Sequence, residues 1–169
     1  MLKKIILAVA LALPFIGANA QTLKVGLVDT NALIQALPDT QEATAKVQAA
    51  SKQYEEQRNK LMEEGQRLVD EFQKLGDDTL PAIRERKARD IQDQEQKIQS
   101  FLQNAEQDLQ RMHNELMAPV VQKIRDAVES VGKEGNYSMI QNYAPDLTLY
   151  YASPVEDVTP LVKAKLGIK

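Results

Sequence analysis

One short break in a long polar stretch constrains the fold of this chain more than any other feature. Between about residues 39 and 131 the sequence is rich in charge, poor in glycine and proline, and typical of α-helix. The break is QKLGDDTLPAIRER, in which Gly76 and Pro81 lie on either side of two aspartates. Because glycine and proline both interrupt helices, the segment is either a linker between two separate helical modules or the tip of one helical hairpin.

The first helical stretch has too few apolar residues for a regular two-stranded coiled coil. Its apolar positions recur every seven residues, at Val47, Tyr54, Leu61, Leu68 and Leu75. A coiled coil needs a second apolar set between these, but Gln57, Glu64 and Glu71 occupy it. The helix can therefore bury only a narrow stripe. Asp39, with Glu42 three residues later, is predicted to cap its start.

The second helical stretch, from about Ala82 to Val131, changes character at Pro119. Its apolar residues are sparse before this proline, and after it they follow in quick succession at Val120, Val121, Ile124, Val128 and Val131. This density is typical of a helix that enters a packed core. The proline removes one backbone hydrogen bond and is expected to kink the helix.

Short strands are predicted near both ends of the chain. An apolar run at residues 23–28 has strand character, as do YSMIQ (137–141) and LTLYYA (147–152). Thr159 followed by Pro160 is predicted to start a short terminal helix, with the threonine as its N-cap.

A hairpin explains how strands from both ends reach one sheet. The strand-bearing parts, residues 21–38 and 132–169, pair only if the chain leaves this region and returns to it, which the linker alternative does not allow. We therefore predict an α+β fold, with a small β body built from both chain ends and a long protruding α-helical hairpin. The hairpin covers residues 39–131 and has its tip near 76–82. A body of roughly 56 residues without disulfides is near the lower limit of independent stability, which favours a homo-oligomer.

The first twenty residues have the three parts of a secretory signal peptide. MLKK is basic, IILAVALALPFIGA is apolar, and Ala18-Asn19-Ala20 fits a cleavage site. An apolar run of about 14 residues that contains Pro14 is short for a membrane span, although an uncleaved anchor is the alternative. We expect cleavage before Gln21 and export of the mature chain.

Composition argues against several kinds of chemistry. There is no cysteine, so disulfides and thiolate sites are excluded. Without Lys3 and Lys4, 19 basic residues remain against 24 acidic ones, and a net charge near −5 argues against nucleic-acid binding. GKEGNY (132–137) lacks the spacing of a nucleotide-binding loop, and His113 is the only histidine, so no ATP site or histidine-based triad is supported. We predict no enzyme activity, no cofactor and no metal site.

Four sequence features, taken in order, carry a resemblance to a known family. They are Val28-Asp29 after the first strand, Pro38 before the long helix, Leu149-Tyr150-Tyr151, and Asp157-Val158-Thr159 before the last helix. With the long charged hairpin they resemble the Skp/OmpH family, periplasmic chaperones of outer-membrane proteins. The resemblance implies a trimer, in which a β-barrel-like body carries three helical tentacles around a cavity that holds unfolded β-barrel proteins without ATP. Family members often carry a basic surface, whereas this chain is acidic, which counts against binding to anionic lipid.

Candidate site residues lie on the arms, at the tip and in the body. Contact with clients is predicted at apolar arm residues that the seam leaves over, Met62, Val69 and Phe101, and at two that also fit the seam, Tyr54 and Ile98. A basic patch just past the tip is predicted to meet acidic client segments or, weakly, a membrane surface, although a solvated first helical turn is the alternative: Arg84, Arg86, Lys87 and Arg89. The oligomerisation body is predicted to use Val25, Leu27, Val28, Ile140, Leu147, Leu149 and Tyr151.

An exported coiled-coil spacer is the competing function, with the hairpin as a rigid rod. A spacer is expected to continue its apolar seam and to bind a fixed partner, and this sequence interrupts the seam. A lipid or peptidoglycan enzyme is a third class, and the chain offers no convergent catalytic residues for it.

Overall fold

The computed structural model describes residues 23–144 and 150–168 of the 169-residue chain. The predicted signal peptide lies outside the described residues. The structure is mostly helical, with a small sheet built from the two chain ends, as the sequence predicts. In chain order its elements are β1 (Val25–Val28), α1 (Thr30–Ala36), α2 (Pro38–Gln73), α3 (Pro81–Glu134), β2 (Met139–Asn142), β3 (Val155–Asp157) and α4 (Thr159–Leu166).

Helices α2 and α3 are two arms that pack along each other. α2 has 36 residues, which corresponds to roughly 54 Å at 1.5 Å per residue. Near the sheet Lys123 forms an ion pair with Asp39 at 2.8 Å, and near the far end Lys87 pairs with Glu71 at 2.6 Å. Residues 74–80 reverse the chain. The break in the sequence therefore joins two packed helices of one hairpin rather than two separate modules.

The contact between the arms is narrow. The apolar positions that recur every seven residues, from Val47 to Leu68 in α2 and on to Leu75 just beyond it, are all half-buried. Within α2 only Ala43 is buried, and before Val120 α3 buries only Gln94 and Ala105. Each arm therefore leaves most of its surface in solvent, as its sparse apolar stripe predicts.

The three strands form one parallel sheet in the order β2-β1-β3. β1 is central, and its Gly26 pairs with Ile140 of β2 and with Glu156 of β3. Parallel strands need a long crossover because the chain must return to the same end of the sheet, and the hairpin is that crossover between β1 and β2. A Cβ at Gly26 would lie 3.1 Å from side-chain atoms of both Ile140 and Val158, so the packing on the central strand is tight here.

The third strand differs from the predicted one. Residues 150–152 lie in no strand, so the prediction of a strand at 147–152 is wrong there, and residues 145–149 lie outside the described residues. The third strand is Val155–Asp157, whose sequence has no apolar alternation. It pairs with β1 through the main chain, and just beyond it the N–H of Val158 donates to the carbonyl of Leu27 at 2.8 Å. Pairing with a distant strand, rather than local propensity, therefore fixes its position.

The core lies where the sheet meets α1, α4 and the adjoining end of α3. Leu33, Leu37, Val158 and Val162 are fully buried there. The contribution of α3 comes from Val120, Ile124, Ala127 and Val131. The rise in apolar density after Pro119 therefore marks the entry of α3 into the core. α3 continues through Pro119 as one helix.

Two predicted helix caps are wrong. Asp39 lies inside the first turn of α2, because the helix already begins at Pro38, whose fixed φ suits the first helical position. The Asp39 carboxylate pairs with Lys123 instead. Thr159 is the first residue of α4 rather than its cap, and its hydroxyl accepts a hydrogen bond from the N–H of Asp29 at 2.9 Å. Asp29 in turn caps α1, because its carboxylate accepts a first-turn N–H at 2.9 Å.

Candidate functional site

The two arm helices leave an open hollow beside Gly65, which we call the Gly65 hollow. Its volume is about 480 Å³. α2 and α3 both contribute to its walls, which combine apolar side chains with carboxamides and one carboxylate. The lining residues are Met62, Gly65, Gln66 and Val69 of α2 and Ile91, Gln94, Glu95, Ile98 and Gln99 of α3.

Within the hollow, Gly65 faces side chains of α3 across a short gap. A Cβ built on Gly65 would lie 3.5 Å from Cδ1 of Ile98 and 3.7 Å from Cγ of Gln94, at ordinary contact distance. A methyl group would therefore fit between these atoms in van der Waals contact. A helix interior normally disfavours glycine by about 1 kcal/mol relative to alanine, so the arm gives up local stability at this position.

Gln94 forms a polar contact across the arms beside the hollow. Its side chain is only 7% exposed, and its Nε2 donates to the backbone carbonyl of Leu61 at 2.7 Å. Leu61 lies four residues before Gly65, so the missing side chain leaves that carbonyl open to α3. The hydrogen bond satisfies the buried amide group and holds the two helices together where the apolar seam is thin.

Three of the five predicted client residues line this hollow. Met62, Val69 and Ile98 come from both arms, and Met62 is 54% exposed. The other two, Tyr54 and Phe101, contact each other across the arms, with ring centroids 5.9 Å apart. These five residues therefore divide into an open apolar hollow and a closed aromatic contact.

The phenol of Tyr54 has a second partner. Its hydroxyl donates to a carboxylate oxygen of Asp108 at 3.1 Å. This hydrogen bond, followed by desolvation, raises the pKa of Tyr54 above its ordinary value. Tyr54 thus contacts the other arm through both its ring and its hydroxyl, which favours a structural role.

Sequence reasoning named the apolar walls of the hollow but missed Gly65 and Gln94, which shape it. An isolated glycine inside a charged helical pattern was the available signal, since such a residue usually has a packing or functional reason. The contact of Gln94 with Leu61 joins residues that are 33 positions apart. The sequence pattern of either helix alone does not contain that information.

Two residues of the predicted tip patch are bound within the hairpin. Arg84 donates from Nη2 to the carbonyl of Gly76 at 2.9 Å, at the turn that follows α2. Lys87 donates to Glu71 at 2.6 Å, and this hydrogen bond is the main cause that lowers the pKa of the Glu71 carboxyl. Both cations therefore help to close the tip.

The other two tip cations are more open. Arg89 lies 3.5 Å from Glu85 in an exposed pair along the same helix. Arg86 is exposed and forms no hydrogen bond or ion pair with any residue in 23–144 or 150–168. The four cations thus share one end of the hairpin but differ in how available their charges are.

The predicted oligomerisation residues differ in how far they are buried within the single chain. Leu27 and Val28 are buried within the single chain, and Val25 and Ile140 are half-buried. Tyr151 is 42% exposed, while Leu147 and Leu149 lie outside the described residues. β2 and β3 are the two edges of the sheet, so each has one side without a strand partner among residues 23–144 and 150–168.

A second hollow lies at the junction of the body and the arm. It has a volume of about 310 Å³ and includes residues of β1, β2, α1 and α3. Val121, which is 43% exposed, is part of its wall. The complete lining is Val28, Thr30, Ile34, Val121, Ile124, Arg125, Val128, Ile140 and Asn142.

The described segments contain neither a metal-binding cluster nor a membrane-spanning helix. In residues 23–144 and 150–168, no three or more histidine or acidic side chains are grouped so that they could hold a metal ion. Across the same segments, no helix is both long enough and apolar enough to cross a membrane.

Comparison with known proteins identifies the family. The profile of the family described as outer membrane protein (OmpH-like) matches residues 24–166 of this chain. The chain is also similar to a protein of Yersinia enterocolitica named Chaperone protein Skp. The two are 24% identical over 159 residues, which cover 94% of this chain and 95% of that protein. The family match spans both strand-bearing ends and the whole hairpin, and this chain therefore belongs to the OmpH-like outer membrane protein family.

Proposed function

We propose that this protein is a periplasmic chaperone that holds unfolded outer-membrane β-barrel proteins between its helical arms without ATP. Membership of the OmpH-like family and similarity to a protein named as a chaperone support the general class. The observation that carries the proposal at the level of residues is the Gly65 hollow. It gathers apolar side chains of both arms into one open surface, among them the exposed Met62 and the half-buried Val69 and Ile98.

Weak binding suits a chaperone that must release its client without ATP hydrolysis. The hollow has room for part of an apolar side chain, and each such contact contributes about 1 kcal/mol or less. Several arms that act on one client raise the effective concentration of these contacts, so the total affinity rises while each contact remains easy to break.

We also propose that three copies assemble through the body, so that three hairpins surround one cavity. The two sheet edges have no strand partner within residues 23–144 and 150–168, and this supports self-association, because an exposed edge strand readily pairs with another chain. The hollow at the junction of body and arm adds apolar surface next to edge strand β2. Measurement of the solution mass by light scattering tests this, with a trimer as the expected result.

Two further parts of the proposal concern location and the tip. Export through a signal peptide cleaved before Gln21 accounts for a periplasmic site of action, and mass spectrometry of the exported protein tests it.

At the tip, Arg86 is the cation most available for acidic client segments or a membrane surface. Charge reversal at Arg84, Arg86, Lys87 and Arg89 together is expected to weaken client capture and liposome association.

The decisive experiment is a client-holding assay. A urea-denatured outer-membrane β-barrel protein is diluted into buffer without ATP, and light scattering reports its aggregation. The mature protein is expected to suppress the scattering, and Met62→Ser with Val69→Ser to suppress it less. Ile83→Ser is the matched control, because it removes a 46% exposed apolar side chain outside the hollow. A monomeric protein that leaves the client to aggregate would favour the spacer alternative.

A further inference from the structure

The Gly65 hollow has an electrostatic character as well as an apolar one. Glu95 is the charged residue among its lining side chains. It is exposed, and it forms no ion pair or hydrogen bond with any residue that the structure describes. A second carboxylate adjoins the hollow, because the lining residue Gln66 donates to Asp70 at 2.8 Å. The rim is therefore negative.

Neither of the two nearby cations, Arg67 and Lys97, pairs with Glu95. Arg67 is paired with both Glu64 and Glu71. The hydrogen bond from Arg67 is the main cause that lowers the pKa of Glu64, with smaller contributions that include the charge of Lys97. Lys97 is two residues from Glu95, and side chains at that spacing do not face each other on a helix. The charge of Glu95 is thus left for a ligand.

Carboxamide groups give the hollow a way to bind a main chain. The Nε2 of Gln94 donates to the Leu61 carbonyl, while the Oε1 of Gln94 accepts no hydrogen bond from the described residues. Gln99 likewise makes no hydrogen bond with any of them. An extended polypeptide offers N–H and C=O groups along its whole length, and such carboxamides can pair with either.

We propose that the Gly65 hollow binds extended client segments in which an apolar side chain is flanked by lysine or arginine. The apolar side chain fills the space beside Gly65, and the flanking cation lies against Glu95 and Asp70. Charge complementarity selects this occupant over an equally apolar segment flanked by acids. This inference rests on the proposed function and names the class of segment that the arm prefers.

Binding of defined peptides to the full mature protein tests the inference. Three fluorescent peptides share one apolar centre and differ only in flanking lysine, glutamine or glutamate, and fluorescence anisotropy measures their affinities. The wild-type protein is expected to bind them in that order. The differences should shrink at about 1 M salt, where the screening length is about 3 Å.

Charge variants assign any preference to Glu95. Glu95→Gln is expected to weaken the lysine-flanked peptide about two- to fivefold, the range typical of an exposed ion pair. Glu95→Lys is expected to reverse the order of the peptides. Asp93→Lys is the matched control, because Asp93 is also exposed, unpaired among the described residues and on α3, but it faces another direction. It should leave the order unchanged.

A volume variant tests the apolar part separately. Gly65→Leu places a side chain in the hollow and is expected to weaken all three peptides by a similar factor, with circular dichroism to verify that the helices are retained. Three results would overturn the inference: equal affinity for the lysine- and glutamate-flanked peptides, equal effects of Glu95→Lys and Asp93→Lys, or no peptide binding. If the wild-type protein still keeps a denatured client soluble in any of these cases, the holdase function stands and only the charge preference fails.

Discussion

Replacement of Gly65 by alanine is expected to stabilise the arm. In a helix interior, alanine is favoured over glycine by about 1 kcal/mol, partly because glycine leaves the unfolded chain with more freedom. The added methyl meets Ile98 at 3.5 Å and Gln94 at 3.7 Å, so it neither clashes nor displaces the hydrogen bond of Gln94 to Leu61. We therefore expect the free energy of unfolding to rise by about 1 kcal/mol. For a chain of this size, that corresponds to an increase of about 2–4 °C in Tm.

Urea unfolding followed by helical circular dichroism measures this change. Wild type and variant must be compared at one protein concentration, because self-association makes apparent stability depend on concentration. Equal slopes of the two unfolding curves would show that the change lies in stability rather than in the surface exposed on unfolding.

Gly135→Ala is a control of opposite sign. A Cβ there would lie 2.7 Å from Cδ2 of Tyr137 and 3.1 Å from the carbonyl oxygen of Val131. The Tyr137 ring cannot move away freely, because the Nζ of Lys24 lies 4.0 Å from its centroid and its hydroxyl donates a hydrogen bond to Glu156. We expect a loss of about 1–3 kcal/mol. If Gly65→Ala were also destabilising, the packing described around the hollow would be refuted.

Three other predictions concern the body. Leu33→Ala should lower the free energy of unfolding by about 2–5 kcal/mol, because Leu33 is fully buried in a small core, and thermal unfolding measures it. Asn136 has a left-handed backbone with φ of 51°, so Asn136→Ala should destabilise by about 1 kcal/mol, whereas Asn136→Gly should not lower the urea midpoint. Hydrogen bonds from Lys165 and then Ser130 lower the pKa of Glu134 below 4.5, so its contribution to stability is present above that pH and is lost as the pH falls through the lowered pKa. Urea midpoints should therefore fall below about pH 4.5, and less steeply in Glu134→Gln; equal slopes would contradict this assignment.

Local signals in the sequence predict the arm well. Gly76 and Pro81 mark the reversal because they act on their own backbone, and the sparse repeat from Val47 to Leu75 predicts a seam that is only half-buried. The prediction that Met62 lies outside the seam has the same basis, since the seven-residue repeat indicates which apolar residues do not face the other arm. These features depend on residues within a few turns of each other.

Non-local pairing explains what the sequence did not predict. β3 forms at Val155–Asp157 because β1 provides its hydrogen bonds, and no apolar alternation marks that segment. The Gly65 hollow likewise depends on how α3 lies against α2, which brings Gln94 to the carbonyl of Leu61. The predicted cap at Thr159 fails for a similar reason, because its hydroxyl accepts the N–H of Asp29, 130 positions away, whereas the cap at Asp39 fails because the helix already begins at Pro38.

The parallel sheet also has a consequence for the order in which the chain folds. The hydrogen bond between Asp29 and Thr159 links residues that are 130 positions apart, whereas the hairpin closes over a turn of a few residues. Local contacts form faster because they close shorter loops. We therefore expect the arms to form early, and β1 to gain its partners β2 and β3 only when the last part of the chain has been made. Any assembly through the body is then restricted to complete chains, so a truncated chain would carry arms without the means to join others.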